Sequence, residues 1–273
     1  MRTVVHLSDL HFGRIDPALV DPLRRAVNAL KPDLIAISGD FTQRARHSQF
    51  AEARAFIQAL EAKTLVVPGN HDSPLYDVAE RFAAPLVRYR QYISSNLEPE
   101  YIDEEMIVLG VNTARMLAFP LGEGRINNGQ VERIVQRLTE LPPSLLRVIV
   151  TQHPFDLPPG VRHRRLLGRS AMAMAKLAAV KADLFLSGHL HIAHVSHAAE
   201  RYEAAGYSAL IVQAGTVSMR GRGEVPSFNV LRMQRPDIEL SRHAWEPATA
   251  TFTPTAVGTY RHTERGWSSS KGV

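Results

Sequence analysis

Cysteine is absent from the 273 residues. That excludes disulfides and thiolate metal sites, so any metal here must be held by His, Asp, Glu or Asn. No stretch approaches the roughly 18 uncharged apolar residues of a membrane span, and the opening Met1-Arg-Thr-Val-Val-His-Leu7 has no apolar signal-peptide core. A soluble, cytoplasmic protein is expected. No internal repeat and no domain-separating linker divides the chain. A large excess of one charge sign is missing as well: a net charge of +5 suits an anionic substrate but is common in proteins without one. What the sequence does have is a 45% hydrophobic composition, enough for one sizeable core, and 12 histidines.

Apolar runs alternate with helical patterns through the first half, the signature of strands joined by crossover helices. Residues 4–7 read as a strand. Residues 17–30 read as a helix with Leu19, Leu23, Val27 and Leu30 on one face. A second strand spans 33–38, Ser48 is the expected cap of a helix running to Leu60, and a third strand covers 64–67. A helix near 75–82, a strand at 106–111, a Gly-rich loop to Asn128 and a helix over 129–140 follow. Short buried strands are expected at 147–151 and 183–187, separated by a Pro-rich segment and a helix at 170–180. From His194 on, β patterns recur at 207–213, 228–233 and 238–243. A parallel first part and an antiparallel later part suggest two packed mixed sheets flanked by helices. One domain is expected over 1–262, with a disordered polar tail at 263–273.

Five of these strands run into loops rich in hard or borderline metal ligands, where open α/β sheets place their sites. The loops are Ser8-Asp9-Leu10-His11, Gly39-Asp40, Gly69-Asn70-His71-Asp72, Gln152-His153-Pro154 and Gly188-His189-Leu190-His191. A lone His or Asp at a strand end is ordinarily a cap or a turn residue. Five such loops in order make coincidence a poor explanation, and the glycines allow tight turns that swing the next side chain toward a metal.

In these motifs the chain resembles the calcineurin-like metallophosphoesterases, and the resemblance covers residues 4–191. It implies an α/β fold, the four-layer αββα sandwich, and a phosphoric ester hydrolase in which water activated between two divalent cations attacks phosphorus. By that resemblance Asp9, His11 and His191 hold one metal, Asn70, His153 and His189 hold the other, and Asp40 bridges both. A carboxylate has two oxygens with which to span two cations. Manganese or iron is expected first, with zinc or cobalt also compatible with the donors. His71 is expected to face the substrate, stabilising the transition state or protonating the leaving oxygen. Asp72 is expected to orient His71 or, equally, to cap the turn before Pro74. His6, His47, His163, His194 and His197 lie off the pattern and read as structural or surface residues.

The stretch Gly39-Asp40-Phe-Thr-Gln-Arg44 lacks the signature of the protein Ser/Thr phosphatases. Arg44 shares the spacing of their phosphate-binding arginine, and both substrate contact and a solvated position stay open to it. Lipid A precursor pyrophosphohydrolases carry Arg where this chain has His71. The Ser-Asp-Leu-His-Phe-Gly opening and the Gln213-Ala-Gly-Thr run look most like the bacterial cyclic-nucleotide and glycerophosphodiester phosphodiesterases. The substrate implied is therefore a small phosphodiester. An exonuclease acting on nucleic acid, a phosphomonoesterase and a noncatalytic protein-binding scaffold remain alternatives. The basic segment 162–169, within the Pro-rich stretch 154–169, is expected to overhang the site, and a homo-oligomer is left open.

Overall fold

The apolar runs of the first third become neighbouring parallel strands because each is followed by a helix that carries the chain back to the same end of the sheet. They are β1 (Arg2–Leu7), α1 (Pro17–Ala29), β2 (Leu34–Ile37), α2 (His47–Gln58) and β3 (Thr64–Val66). The computed structural model describes residues 1–270 apart from 75–76, 116–121, 162–165, 203–205 and 222. Helix α1 starts where the Asp16 carboxylate accepts from the Ala18 amide at 2.9 Å and Pro17 takes the first position, and it buries Leu19, Leu23 and Val27. Helix α2 begins at His47, so Ser48 lies inside it and is not its cap. Gln49 Oε1, which accepts from the Arg44 amide at 2.9 Å, fixes the approach to that helix instead.

A 3₁₀ turn at Asn70–Asp72 precedes α3 (Val78–Ala83), α4 (Val87–Tyr92), β4 (Glu100–Ile102) and β5 (Met106–Val111). The helix expected near 75–82 is α3, and residues 75–76 of that expectation lie outside the described residues. Next come α5 (Asn128–Thr139), β6 (Leu146–Thr151), α6 (Ser170–Ala179), β7 (Leu184–Ser187), β8 (His194–His197), α7 (Ala198–Arg201) and β9 (Leu210–Gln213). Helix α5 opens on a reciprocal cap, Gln130 N to Asn127 Oδ1 and Asn127 N to Gln130 Oε1, both 2.9 Å. The chain closes with β10 (Ser227–Gln234), β11 (Asp237–Glu246), β12 (Thr251–Thr263) and β13 (Gly266–Ser269).

These strands form two mixed sheets, of order β13-β12-β11-β10-β1-β2-β3 and β4-β5-β6-β7-β9-β8. β1 is parallel to β2 and antiparallel to β10, so Val5 lies between Ile35 and Val230. One layer of core, including Leu23, Val27, Phe50 and Phe56, packs α1 and α2 on the outer face of the first sheet. A second layer, with Val4, Leu65, Val108, Val148, Leu186 and Leu231, fills the space between the sheets. A third, with Val131, Leu138, Met174 and Leu177, packs α5 and α6 on the second sheet. This is the expected αββα sandwich. No helix among the described residues is long and apolar enough to cross a membrane.

The tail departs from expectation. Instead of being disordered from 263 on, the chain forms β13, which pairs with β12 and buries Trp267 to 2% exposure; 271–273 lie outside the described residues. What holds it is the buried Asp183 carboxylate at the start of β7. That carboxylate accepts from Trp267 Nε1 at 2.8 Å, Tyr207 Oη at 2.8 Å, the Arg147 amide at 2.9 Å and Arg235 Nη2 at 2.7 Å. Composition could not show this, because the anchor is a carboxylate far away in sequence. Trp267→Phe keeps one aromatic ring but removes the pyrrole ring and, with its N–H, a donor to a charged group. It is expected to lower stability by about 1.5–3 kcal/mol, a Tm drop on the order of 5 °C. An unchanged thermal transition would show that neither the indole N–H nor the lost ring holds the tail.

Candidate metal centre

The parallel strands deliver the expected ligands just past their carboxyl ends: Asp9 and His11 after β1, Asp40 after β2, Asn70 after β3, His153 after β6, and His189 and His191 after β7. The turns are forced. Asp9, His11, Asp40, His189 and His191 have φ of 54°, 46°, 53°, 71° and 59°, a left-handed conformation that costs roughly 1–2 kcal/mol for a residue with a side chain. Neighbouring loops sustain it, with the Asp9 amide on Gly39 O at 3.1 Å and the His11 amide on Asp40 O at 2.9 Å. Two glycines are required by proximity alone. A Cβ on Gly69 would stand 2.1 Å from Asp40 Oδ1, and one on Gly188 would stand 1.7 Å from Ser8 Oγ.

Asp9, His11 and His191, all buried, place one ligand atom each within 4.8 Å of one another. His11 Nδ1 faces Thr42 O at 3.3 Å and His191 Nδ1 faces Arg220 O at 3.0 Å. A carbonyl only accepts, so both Nδ1 atoms carry the proton and both Nε2 atoms present bare lone pairs. Those two atoms lie 3.1 Å apart, with Asp9 Oδ1 3.2 Å from His191 Nε2. Three electron-rich atoms converging in this way could hold a metal ion, and histidines anchored through the far nitrogen are how proteins orient metal ligands.

The carboxylates agree with this. Burial pushes Asp9 up, but His191 and His11, when they carry a proton on Nε2, outweigh it and hold its carboxyl well below the usual range, and a cation in the same place would act in the same direction. Ser8 Oγ at 2.6 Å, the His189 amide at 2.9 Å and Gln152 Nε2 at 3.1 Å all donate to it. Asp40 is driven well above the usual range, first by burial and then by Asp9 and Asp72. Its ionisation calls for added positive charge in the same space. Asp40 Oδ2 lies 3.8 Å from His11 Nε2, while Oδ1 accepts from the His71 amide at 2.8 Å, so the carboxylate spans from the first cluster to the loop that carries Asn70.

The second expected set also gathers. His189 Nδ1 is 3.1 Å from Asn70 Oδ1, and the His153 and His189 rings are 4.7 Å apart. His153, however, is engaged at both nitrogens, Nδ1 with Thr113 Oγ1 at 3.0 Å and Nε2 with Gly122 O at 3.1 Å. It can ligate only by giving up one of these contacts.

His71 lies beside the first cluster, its ring edge-on to His11 with 4.9 Å between centroids. Nδ1 donates to Gln43 O at 2.9 Å, which fixes the tautomer and leaves Nε2 facing Arg220 Nη1 at 3.1 Å. Burial first, then His11, lowers its pKa to about 4, so the free imidazole is neutral. The expectation that Asp72 orients His71 does not hold. Asp72 accepts instead from the Thr42 amide at 3.0 Å and the Gly69 amide at 2.9 Å, capping the 3₁₀ turn and tying two ligand loops together. Burial raises its pKa to about 6. Arg44 is exposed and lines a cavity beside the centre. Residues 162–165 of the basic segment lie outside the described residues, and its end is anchored by Leu167 in the core and by the Gly168 amide on Gly124 O at 2.9 Å.

Sequence reasoning missed Arg220, whose Nη1 also reaches His11 Nε2 at 3.3 Å, and it noted Thr216 only as the end of the Gln213-Ala-Gly-Thr run, without its role: the Thr216 hydroxyl donates to Asp9 O at 2.7 Å. Both come from the loop after β9. The pair Arg220 and Arg222 about Gly221 was the one available signal.

A sequence model of the calcineurin-like phosphoesterases matches residues 2–193. The UDP-2,3-diacylglucosamine pyrophosphatase LpxG of Chlamydia muridarum is 33% identical over 76 residues, which make up 27% of this chain and 23% of that protein. The chain is similar in fold to a dimetal phosphatase from Danio rerio, with a TM-score of 0.66 and 12% identity over 89% of this chain and 96% of that one. It is likewise similar to the purple acid phosphatase PPD1 of yellow lupin, with a TM-score of 0.68 and 11% identity over 94% of this chain and 53% of that one. Identities this low speak for the fold alone.

Proposed function

The chain belongs to the calcineurin-like phosphoesterase family, and from that premise we propose that it is a dinuclear-metal phosphodiesterase acting on a small phosphodiester such as a cyclic nucleotide. The observation that carries the reading is the convergence of Asp9 Oδ1, His11 Nε2 and His191 Nε2, with both imidazole protons on the far nitrogens. This donor set suits a borderline divalent ion such as manganese, iron, zinc or cobalt. Asp9, His11 and His191 would hold one ion, Asn70, His153 and His189 the other, and Asp40 both. Divalent ions held there supply positive charge to the phosphoryl oxygens and acidify water.

The chain's own residues account for the rest. Gln43 O holds the His71 ring so that Nε2 faces the first cluster, and Arg220 brings a guanidinium to the same edge. An incoming phosphodiester anion raises the proton affinity of that imidazole. His71 then takes up a proton when substrate binds and returns it to the leaving oxygen.

The test is hydrolysis by Mn²⁺-reconstituted protein of bis(4-nitrophenyl) phosphate against 4-nitrophenyl phosphate. The diester is expected to give the higher kcat/KM, because the stretch after Asp40 lacks the protein-phosphatase signature. A clear monoester preference would sink the phosphodiesterase reading and leave the metal centre standing. A second reading, cleavage of a diphosphate, is favoured by the 76-residue match to a pyrophosphatase. Including a UDP-sugar in the same panel decides between the two.

A further inference from the structure

Beside the metal centre lies a cavity of about 330 Å³ walled by Arg14, Arg44, Arg46 and Arg220 together with Gln43 and Gln49. No carboxylate is among the described residues that line it. Neither Arg14 nor Arg46 forms a salt bridge with any described acidic residue. Arg14 and Arg46, set near two further guanidinium groups with no carboxylate among the described walls, favour an anion in the cavity, and the guanidinium offers the forked donor geometry that matches phosphate. The N-terminus of α2 adds to the field, since Arg46 is the residue that caps it and the helix runs 12 residues.

The cavity and the centre share walls. Arg220 Nη1 donates to His71 Nε2 at 3.1 Å and to His11 Nε2 at 3.3 Å, and Gln43 O orients His71. A group bound in the cavity is therefore adjacent to whatever is being cleaved at His71.

We propose that this cavity is a second phosphate subsite, which holds a non-scissile phosphate of the same substrate whose diester bond is broken at the centre. The inference rests on the phosphodiesterase reading and narrows it. The preferred substrate is a phosphodiester bearing a further phosphomonoester, such as a 5′-phosphorylated short nucleotide, over a cyclic mononucleotide or a glycerophosphodiester with one phosphate. A terminal phosphate carries roughly −1.5 to −2 at neutral pH, so it exploits the arginines better than a sugar hydroxyl does.

The experiment measures the Kd of Mn²⁺-loaded full-length protein for adenylyl-adenosine phosphorothioate with and without a 5′-phosphate. It compares wild type with the Arg14→Gln/Arg46→Gln double variant, whose exposed side chains lie outside the core. In wild type the 5′-phosphate is expected to tighten binding about 10-fold or more, the scale of one or two hydrogen bonds between charged groups. In the double variant that advantage is expected to fall to about 2-fold. Equal affinities in wild type, or an advantage that survives both substitutions, would overturn the subsite. Affinity that keeps rising with each added nucleotide, with a steep salt dependence, would also overturn it in favour of a nucleic-acid strand. Because binding is read without turnover, the subsite is judged even if the parent diesters are not cleaved, which would count against the phosphodiesterase reading alone.

Discussion

Asp40→Ala is expected to empty the centre of both metals and to abolish turnover. The Asp40 carboxylate reaches from the Asp9, His11 and His191 cluster to the loop carrying Asn70. Loss of partners that merely orient a ligand weakens metal affinity about 10- to 100-fold, so loss of a shared ligand should exceed the upper figure for each ion. The effect on the fold runs the other way. Burial and the nearby Asp9 and Asp72 carboxylates drive Asp40 well above the usual carboxylate range. Without metal, the wild-type carboxylate is a buried charge or a proton held against its preference. The metal-free variant should therefore unfold no earlier than metal-free wild type, whereas the Mn²⁺-loaded wild type should outlast both. Asp40→Asn separates charge from geometry, because the amide oxygen can still accept from the His71 backbone. Elemental analysis decides the matter: two metals retained per chain in Asp40→Ala would refute a bridging role.

His71→Ala should leave metal content near the wild-type level and slow turnover by about 10²- to 10⁴-fold, the usual range for general acid–base catalysis. The loss should be largest for an alkoxide leaving group such as a ribose oxygen and smaller for an aryl oxide that departs without a proton. In the free protein burial and His11 hold the imidazole at about 4. A proton on Nε2 at neutral pH thus exists only once an anion lies beside it. The pH dependence of kcat/KM, which reports the free protein, should then show the low imidazole value, and that of kcat, which reports the complex, a higher one. Equal losses on both kinds of substrate would assign His71 to stabilising the phosphoryl oxygens. No loss on either would remove it from the centre.

The centre was legible in the sequence because its side chains follow parallel strands directly, so that an apolar run ending in Ser-Asp-Leu-His or Gly-His-Leu-His shows both the strand and its cargo. The same alternation pointed to two packed mixed sheets flanked by helices, and the family resemblance made of that the αββα sandwich. What escaped was set by distant contacts. Asp72 sits beside His71 in sequence, yet its oxygens are taken by backbone amides of Thr42 and Gly69, and the orienting acceptor is Gln43 O. Arg220 enters from an irregular loop that no periodicity marks. The polar end of the chain looked structureless, but Trp267 finds its partner in Asp183, across to the second sheet.

The place of β1 between β2 and β10 also governs how the molecule is made. As the chain is synthesised, residues 4–7 emerge early and can pair with β2, but the partners of their other edge, Val230 and Leu231, come late. Through most of translation the nascent sheet carries an unpaired hydrophobic edge, the kind that templates aggregation. Contacts so far apart in sequence also close slowly. The same late stretch delivers Thr216 to the Asp9 backbone and the Arg220 carbonyl to His191. Every proposed ligand has therefore been synthesised before the contacts that aim two of them exist, so tight capture of metal is expected to be one of the last events in maturation.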